Sequence, residues 1–138
     1  MRPWPAPHVP VIPGHGDALR LFAPALGNQV TAGGPGAAAL AVCGVTPWGG
    51  AGLEDVATSV TADLIVRAWR DQGLTVTSLV HVADAADAGG RQAVDRDLAT
   101  NALDMTALGV LPPDHNVATS EVMPEVIRAV DELSLIHN

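Results

Sequence analysis

The stretch Ala38–Val45, AALAVCGV, is apolar and flanked by glycine-rich segments, a pattern that predicts a buried parallel strand. From Leu53 the period changes: Leu53, Val56, Ala57, Val60, Leu64, Ile65, Ala68 and Trp69 recur on one helical face, and Gly73 follows as a stop. LTVTSLVHV, residues 74–82, returns to alternating β-branched character and predicts the second strand of a right-handed βαβ unit. Two more helices are predicted at 91–108, ending at Gly109, and at 120–135, with Ser120 as cap and Pro124 inside the first turn. LRLFAP is a short strand candidate, whereas GNQVTAGGPG reads as loop and VLPPDHN as a rigid connection in which His115 is an exposed turn residue. Residues 1–18 read as an extended Pro-rich arm, packed along the surface or disordered.

At 138 residues the chain has room for one domain, divided here into the arm, 1–18, and an α/β unit, 19–138. No run approaches the ~18 apolar residues of a membrane span, so no membrane partner is expected. The start, MRPWPAPHVPVIPGHG, is broken by prolines and lacks the apolar stretch of a secretory signal; with a single cysteine, Cys43, this points to the cytoplasm. The formal charge is −8 and all seven basic residues are arginines. Scattered arginines make no cationic face for a phosphate backbone, so nucleic acid is not expected as a partner. The absence of lysine also excludes Schiff-base chemistry and a lysine phosphate clamp.

Ligands of open α/β sheets bind outside the carboxyl ends of the strands, which directs attention to the loops at 46–55 and 81–90. AVCGVTPWGGAGLEDVATSVTADLIVRAWRDQGLTVTSLVHVADAAD resembles the front of the catalytic domain of class I cysteinyl-tRNA synthetases, and more closely their actinobacterial relatives, the mycothiol cysteine ligases. The likeness continues through DMTALGVLPPDHNVATSEVMPEVIRAVDEL and the opening VPVIPGHGDALRLF. It implies half of a Rossmann-like class I synthetase domain, a small parallel sheet flanked by helices. Enzymes of this family are implied to activate cysteine with ATP and to recognise its thiol through zinc. Cys43, Gly44, Val45 and Thr46 match the family's Cys-Gly-x-Thr motif, so Cys43 corresponds to the first zinc ligand. The remaining zinc ligands and the lysine-bearing loop of the family lie beyond the matching stretch.

Two departures bear on chemistry. Where the family carries His-Ile/Leu-Gly-His, this chain has Gly52, Leu53, Glu54 and Asp55, so both imidazoles are gone. Where it carries Asn-x-Thr-Asp-x-Asp-Asp or similar, this chain has His81, Val82, Ala83, Asp84, Ala85, Ala86 and Asp87. Carboxylates in a first turn stabilise the helix dipole by ~0.3–1 kcal/mol each, which is an ordinary capping role for Glu54 and Asp55. The same place is where a helix would hold phosphate, and two unit charges about 5 Å apart repel by roughly 3 kcal/mol at an effective dielectric near 20. ATP in the family's pose is therefore disfavoured, and adenylation is expected to be lost.

Should the two loops adjoin, Glu54, Asp55, His81 and Asp84 form a set for general acid–base catalysis. Each also has a plain alternative: capping for the first two, a surface histidine beside solvated acids for the others. Cys43, Gly44, Thr46, Trp48, Gly52 and Asp87 are the substrate-binding candidates, with Trp48 a lid over a flat or apolar ligand. Cys43 at the end of an apolar strand also reads as a buried small hydrophobe, and Trp69 as core. One inherited ligand with no recognisable spacing makes no metal site, and no cofactor is expected.

The function expected is a repurposed, non-adenylating enzyme of actinobacterial specialised metabolism acting on a small organic substrate by ring opening, cyclisation or hydrolysis. The alternatives are a pseudoenzyme that binds cysteine, a nucleoside or a pathway intermediate or regulates a partner, and a residual ATP-dependent cysteine ligase. A sheet half-covered relative to the family leaves a bare edge or face, for which a two-fold homodimer is the remedy.

Overall fold

The computed structural model describes residues 4–45, 52–84 and 90–136. The elements run β1 (Arg20–Ala23), β2 (Asn28–Thr31), β3 (Ala37–Val45), α1 (Leu53–Asp71), β4 (Thr75–Val82), α2 (Gly90–Ala107), β5 (His115–Ala118) and α3 (Thr119–Ile136). β3, β4 and β5 form a parallel sheet in that order, and β1 and β2 form a separate antiparallel pair. The architecture is α/β, a three-stranded parallel sheet flanked by helices, in keeping with part of a Rossmann-like class I synthetase domain. Among the described residues no helix is long and apolar enough to cross a membrane.

Two strands stand where loop or connection is expected. Asn28–Thr31 pairs with Arg20–Ala23, because the four residues between them close a tight turn: the Leu26 and Gly27 amides both donate to the Ala23 carbonyl at 3.0 Å, and Gly27 has φ +64. His115–Ala118 is β5, with Leu79–Val82 as its register partners. His115 is exposed as expected, at the start of a strand instead of in a turn. Asp114 fixes the start of β5, accepting hydrogen bonds from the Ser78 amide and hydroxyl at 2.8 Å while its own amide donates to Ser78 Oγ at 3.1 Å.

β3 differs from a buried strand in its exposure. It lies at a sheet edge, and its residues alternate: Ala38, Leu40 and Val42 are half-buried, while Ala37, Ala39, Ala41 and Cys43 are exposed. An edge strand covered on one face needs apolar side chains only at every second position, and alanine fills the open face here.

Helix α1 has its expected limits, with Gly73 at φ +83 just beyond, but its inward face is rotated. Val66 and Trp69 are buried, whereas Leu53 and Leu64 are 85% and 60% exposed. The reason is Asp63, on the inward face with only 9% of its side chain exposed. Its carboxylate accepts from Arg67 Nε at 2.8 Å and from the Leu111 amide at 3.0 Å, while Arg67 Nη2 donates to the Gly109 carbonyl at 2.7 Å. This polar junction pins the link after α2 to α1 and turns Leu64 outward. Trp69 is core, as expected, and its indole donates to the Ala32 carbonyl at 2.8 Å, tying the hairpin to α1. Gly33 is required at this crossing, since its φ is +98 and a β-carbon there would lie 2.8 Å from Trp69 Nε1.

The arm is anchored at two points. Trp4 is buried in a cluster with Met105 and Val110 and donates from its indole to the Val110 carbonyl at 2.7 Å. His15 Nδ1 lies 2.9 Å from the Asp71 carbonyl at the end of α1. Pro124 is the sixth residue of α3, not part of its first turn, because the helix begins at Thr119. Its missing N–H leaves one carbonyl of that turn without its helical partner.

Candidate functional site

The carboxyl ends of β3 and β4 and the starts of α1 and α3 carry the described candidate residues. Thr46, Trp48 and Asp87 lie outside the described residues; Gly44 lies in β3 beside the irregularity in register between Cys43 and Val45. Cys43 is exposed, contrary to its reading as a buried hydrophobe, because it sits on the uncovered face of the edge strand. Its register partner on β4 is His81, so the two are neighbours across the ladder. Strand alternation puts both on the face opposite Val42 and Val80.

His81 is half-buried, and its Nε2 lies 2.9 Å from Thr119 Oγ1 at the start of α3. The Thr119 hydroxyl also bonds the Val82 carbonyl at 3.2 Å, where it can only be the donor. Asp84 accepts from the Ser120 amide at 2.8 Å and from the Ser120 hydroxyl. The sequence spacing between each group at the end of β4 and its α3 partner is 36 to 38 residues, so these bonds close the β4–α2–β5–α3 circuit. Ser120 is therefore bonded by Asp84 instead of capping α3 itself, and Glu121 completes the helix start by accepting from the Ala118 amide at 3.3 Å.

At the start of α1 the carboxylate of Asp55 accepts from the Gly52 amide at 3.0 Å, the reach-back half of a capping box. Glu54 is exposed, and its carbonyl accepts from Thr58 Oγ1 at 2.9 Å. The structure thus joins His81 and Asp84 at one helix start, through adjacent residues Thr119 and Ser120. It engages Asp55 locally at another. Thr119 and Ser120 are the site residues that sequence reasoning missed as participants; their only signal was the usual preference of hydroxyl residues for helix starts.

Zinc, which the family likeness implies, does not fit the donors present. Among the described residues no three His, Cys, Asp or Glu side chains are grouped to hold a metal ion, and His81 Nε2 is already directed at Thr119. One matching cysteine is too few for a tetrahedral centre.

Away from this end, Asp114 lies near Arg70 Nη2 at 3.6 Å. Partial burial pushes its carboxyl up, but the two Ser78 hydrogen bonds, with Arg70 and His115 nearby, prevail and hold it below the ordinary 3.8.

No model of a known protein family matches the chain. Among curated proteins it is similar to the L-cysteine:1D-myo-inositol 2-amino-2-deoxy-alpha-D-glucopyranoside ligase of Sanguibacter keddieii, at 41% identity over 96% of this chain and 34% of the relative. The enzymes of the same name from Cellulomonas flavigena and Mycolicibacterium gilvum are 43% and 40% identical, again over 96% of this chain. The chain spans about a third of the length of these relatives.

Proposed function

This chain is a homologue of the cysteinyl-tRNA synthetase-like cysteine ligases over nearly its whole length, and from that premise we propose that it works on a small organic substrate without adenylating it. The substrate occupies the carboxyl ends of β3 and β4, and the chemistry is proton transfer through His81, as in ring opening, cyclisation or hydrolysis within specialised metabolism.

The observation that carries this reading is the tether of His81. We assign the single Thr119 hydrogen to the Val82 carbonyl, so that Nε2 carries its own hydrogen and donates it to Thr119 Oγ1. Nδ1 is then the free lone pair, a base fixed in tautomer and orientation. Cys43 beside it borders the substrate, and Glu54 adds negative charge at the helix start where the relatives' nucleotide would sit.

A second reading, a binding module without turnover, draws support from Asp55 and Asp84. Both carboxylates bond helix-start amides, which is structural work. The same reading extends to a homodimer joined through the free edge of β3 or the apolar side of α3, where Met123, Val126, Ile127, Val130 and Leu133 are exposed.

Thermal shift separates these possibilities. ATP with Mg²⁺ and a non-hydrolysable cysteinyl-adenylate should leave the midpoint unchanged, while a small-molecule panel yields a stabilising ligand. Stabilisation by the adenylate analogue would overturn the proposal. Given a ligand that is turned over, His81→Gln should abolish turnover and retain binding; unchanged turnover would remove His81 from the chemistry, and binding with no turnover of any ligand would leave only the binding module.

A further inference from the structure

A second concavity lies on the opposite side of the sheet from His81. One wall is a row of strand residues, Leu40, Val42, Ser78, Val80 and Val82, and the other is the inward face of α1 at Ser59, Ala62 and Val66. Trp4, Pro112 and Pro113 complete the lining. Small side chains on α1 leave the gap, because Ser59 and Ala62 stand where larger apolar residues would meet the sheet.

Asn116 of β5 lines this space in register with Val80, which is in turn in register with Val42. Its Oδ1 and Nδ2 are both buried without a hydrogen-bond partner. Buried amides are ordinarily paired on both atoms, so an unpaired donor and acceptor side by side in an apolar wall is a recognition element. We propose that this cleft binds a small uncharged molecule through a carboxamide or lactam edge, its N–H to Asn116 Oδ1 and its C=O to Asn116 Nδ2.

The chemistry of the lining selects this class. A charged group would enter walls of Val, Leu, Trp and Pro with no counter-charge beyond Asp63, whose carboxylate is already committed to Arg67 and the Leu111 amide. A purely apolar guest would leave both Asn116 atoms unpaired. The cleft's volume is about 50 Å³, and water occupies about 30 Å³ in the liquid, so it takes little more than the amide head, with any further carbons toward its mouth. The site is independent of the His81 site and does not require that site to be catalytic.

The probes are 2-pyrrolidinone, which presents N–H and C=O on one edge, and N-methyl-2-pyrrolidinone, which has lost the donor. Titration of the full chain, read by the Asn116 side-chain amide resonances and by tryptophan fluorescence, should saturate with the first probe and be roughly tenfold weaker with the second. Asn116→Leu should abolish the fluorescence response while leaving the thermal midpoint equal or higher, since it replaces an unpaired amide with an apolar group of similar size. Ala62→Leu fills the cleft from the helix side and should abolish the response with Asn116 intact, which covers the case in which the first variant does not fold. Equal affinity for the two probes, an undiminished response in either folded variant, or amide resonances that contact only water and ignore both probes would each overturn the proposal.

Discussion

Helices α1 and α3 both begin beside the carboxyl ends of the parallel strands, yet their starts are secured differently. At α1, Asp55 reaches back three residues to the Gly52 amide. At α3, Asp84 comes from a different part of the chain to accept from Ser120, and His81 meets Thr119 in the same way. The first arrangement holds one helical turn; the second holds a helix to a sheet. A carboxylate of the second kind contributes to tertiary structure, and its loss should be felt well beyond the helix that it touches.

Asp84→Ala should therefore have the largest effect, destabilising by about 2 kcal/mol because it removes charge-assisted bonds to a helix start and frees α3 from β4. Urea denaturation with an unchanged slope would measure it. An effect no larger than that of Asp55→Ala would break the contrast between the two helix starts. A second cross-chain carboxylate sharpens it through pH. Asp114 is held below 3.8 in the folded chain, so its clasp on Ser78 contributes fully above that value and is lost as pH falls through the lower folded value. Asp114→Asn should flatten the acid limb of stability between about pH 2 and 5.

Thr119→Val should cost less in stability but release the His81 tautomer, read as a change in its ring ¹⁵N shifts; unchanged shifts would show that Thr119 does not set the tautomer. Asp55→Ala should destabilise by roughly 0.5–1 kcal/mol, and Glu54→Gln, exposed at the same start, by a few tenths. Thermal denaturation at low ionic strength would rank the two, and salt should narrow the difference.

The same division between local and distant bonds explains what was legible in the sequence. The strands at 37–45 and 75–82 and α1 announce themselves through period, α2 through its glycine stop and α3 through a hydroxyl residue at its start, which are local properties. β2 and β5 are four residues each and owe their existence to a partner strand, so NQVT and HNVA carry no pattern of their own. Helical period identified α1 but could not say that Asp63 would face inward, since its partners are Arg67 on the helix and an amide 48 residues away. His81 and Asp84 could be nominated as a pair by proximity in sequence. Thr119 and Ser120 could not, because only the closed β4–α2–β5–α3 circuit brings them there. Cys43 is exposed, against its reading as a buried hydrophobe, for a related reason: an apolar run does not reveal that its strand ends up at an edge.

The indole of Trp4 is held by a carbonyl 106 residues further along. At roughly 5–20 residues per second of synthesis, the arm waits on the order of 5–20 s before its anchor exists. For that interval a large aromatic side chain near the beginning of the chain is open to chaperones and to neighbouring nascent chains. The cluster with Met105 and Val110 closes only after α2 and its link have emerged, so the arm is made well before it is placed.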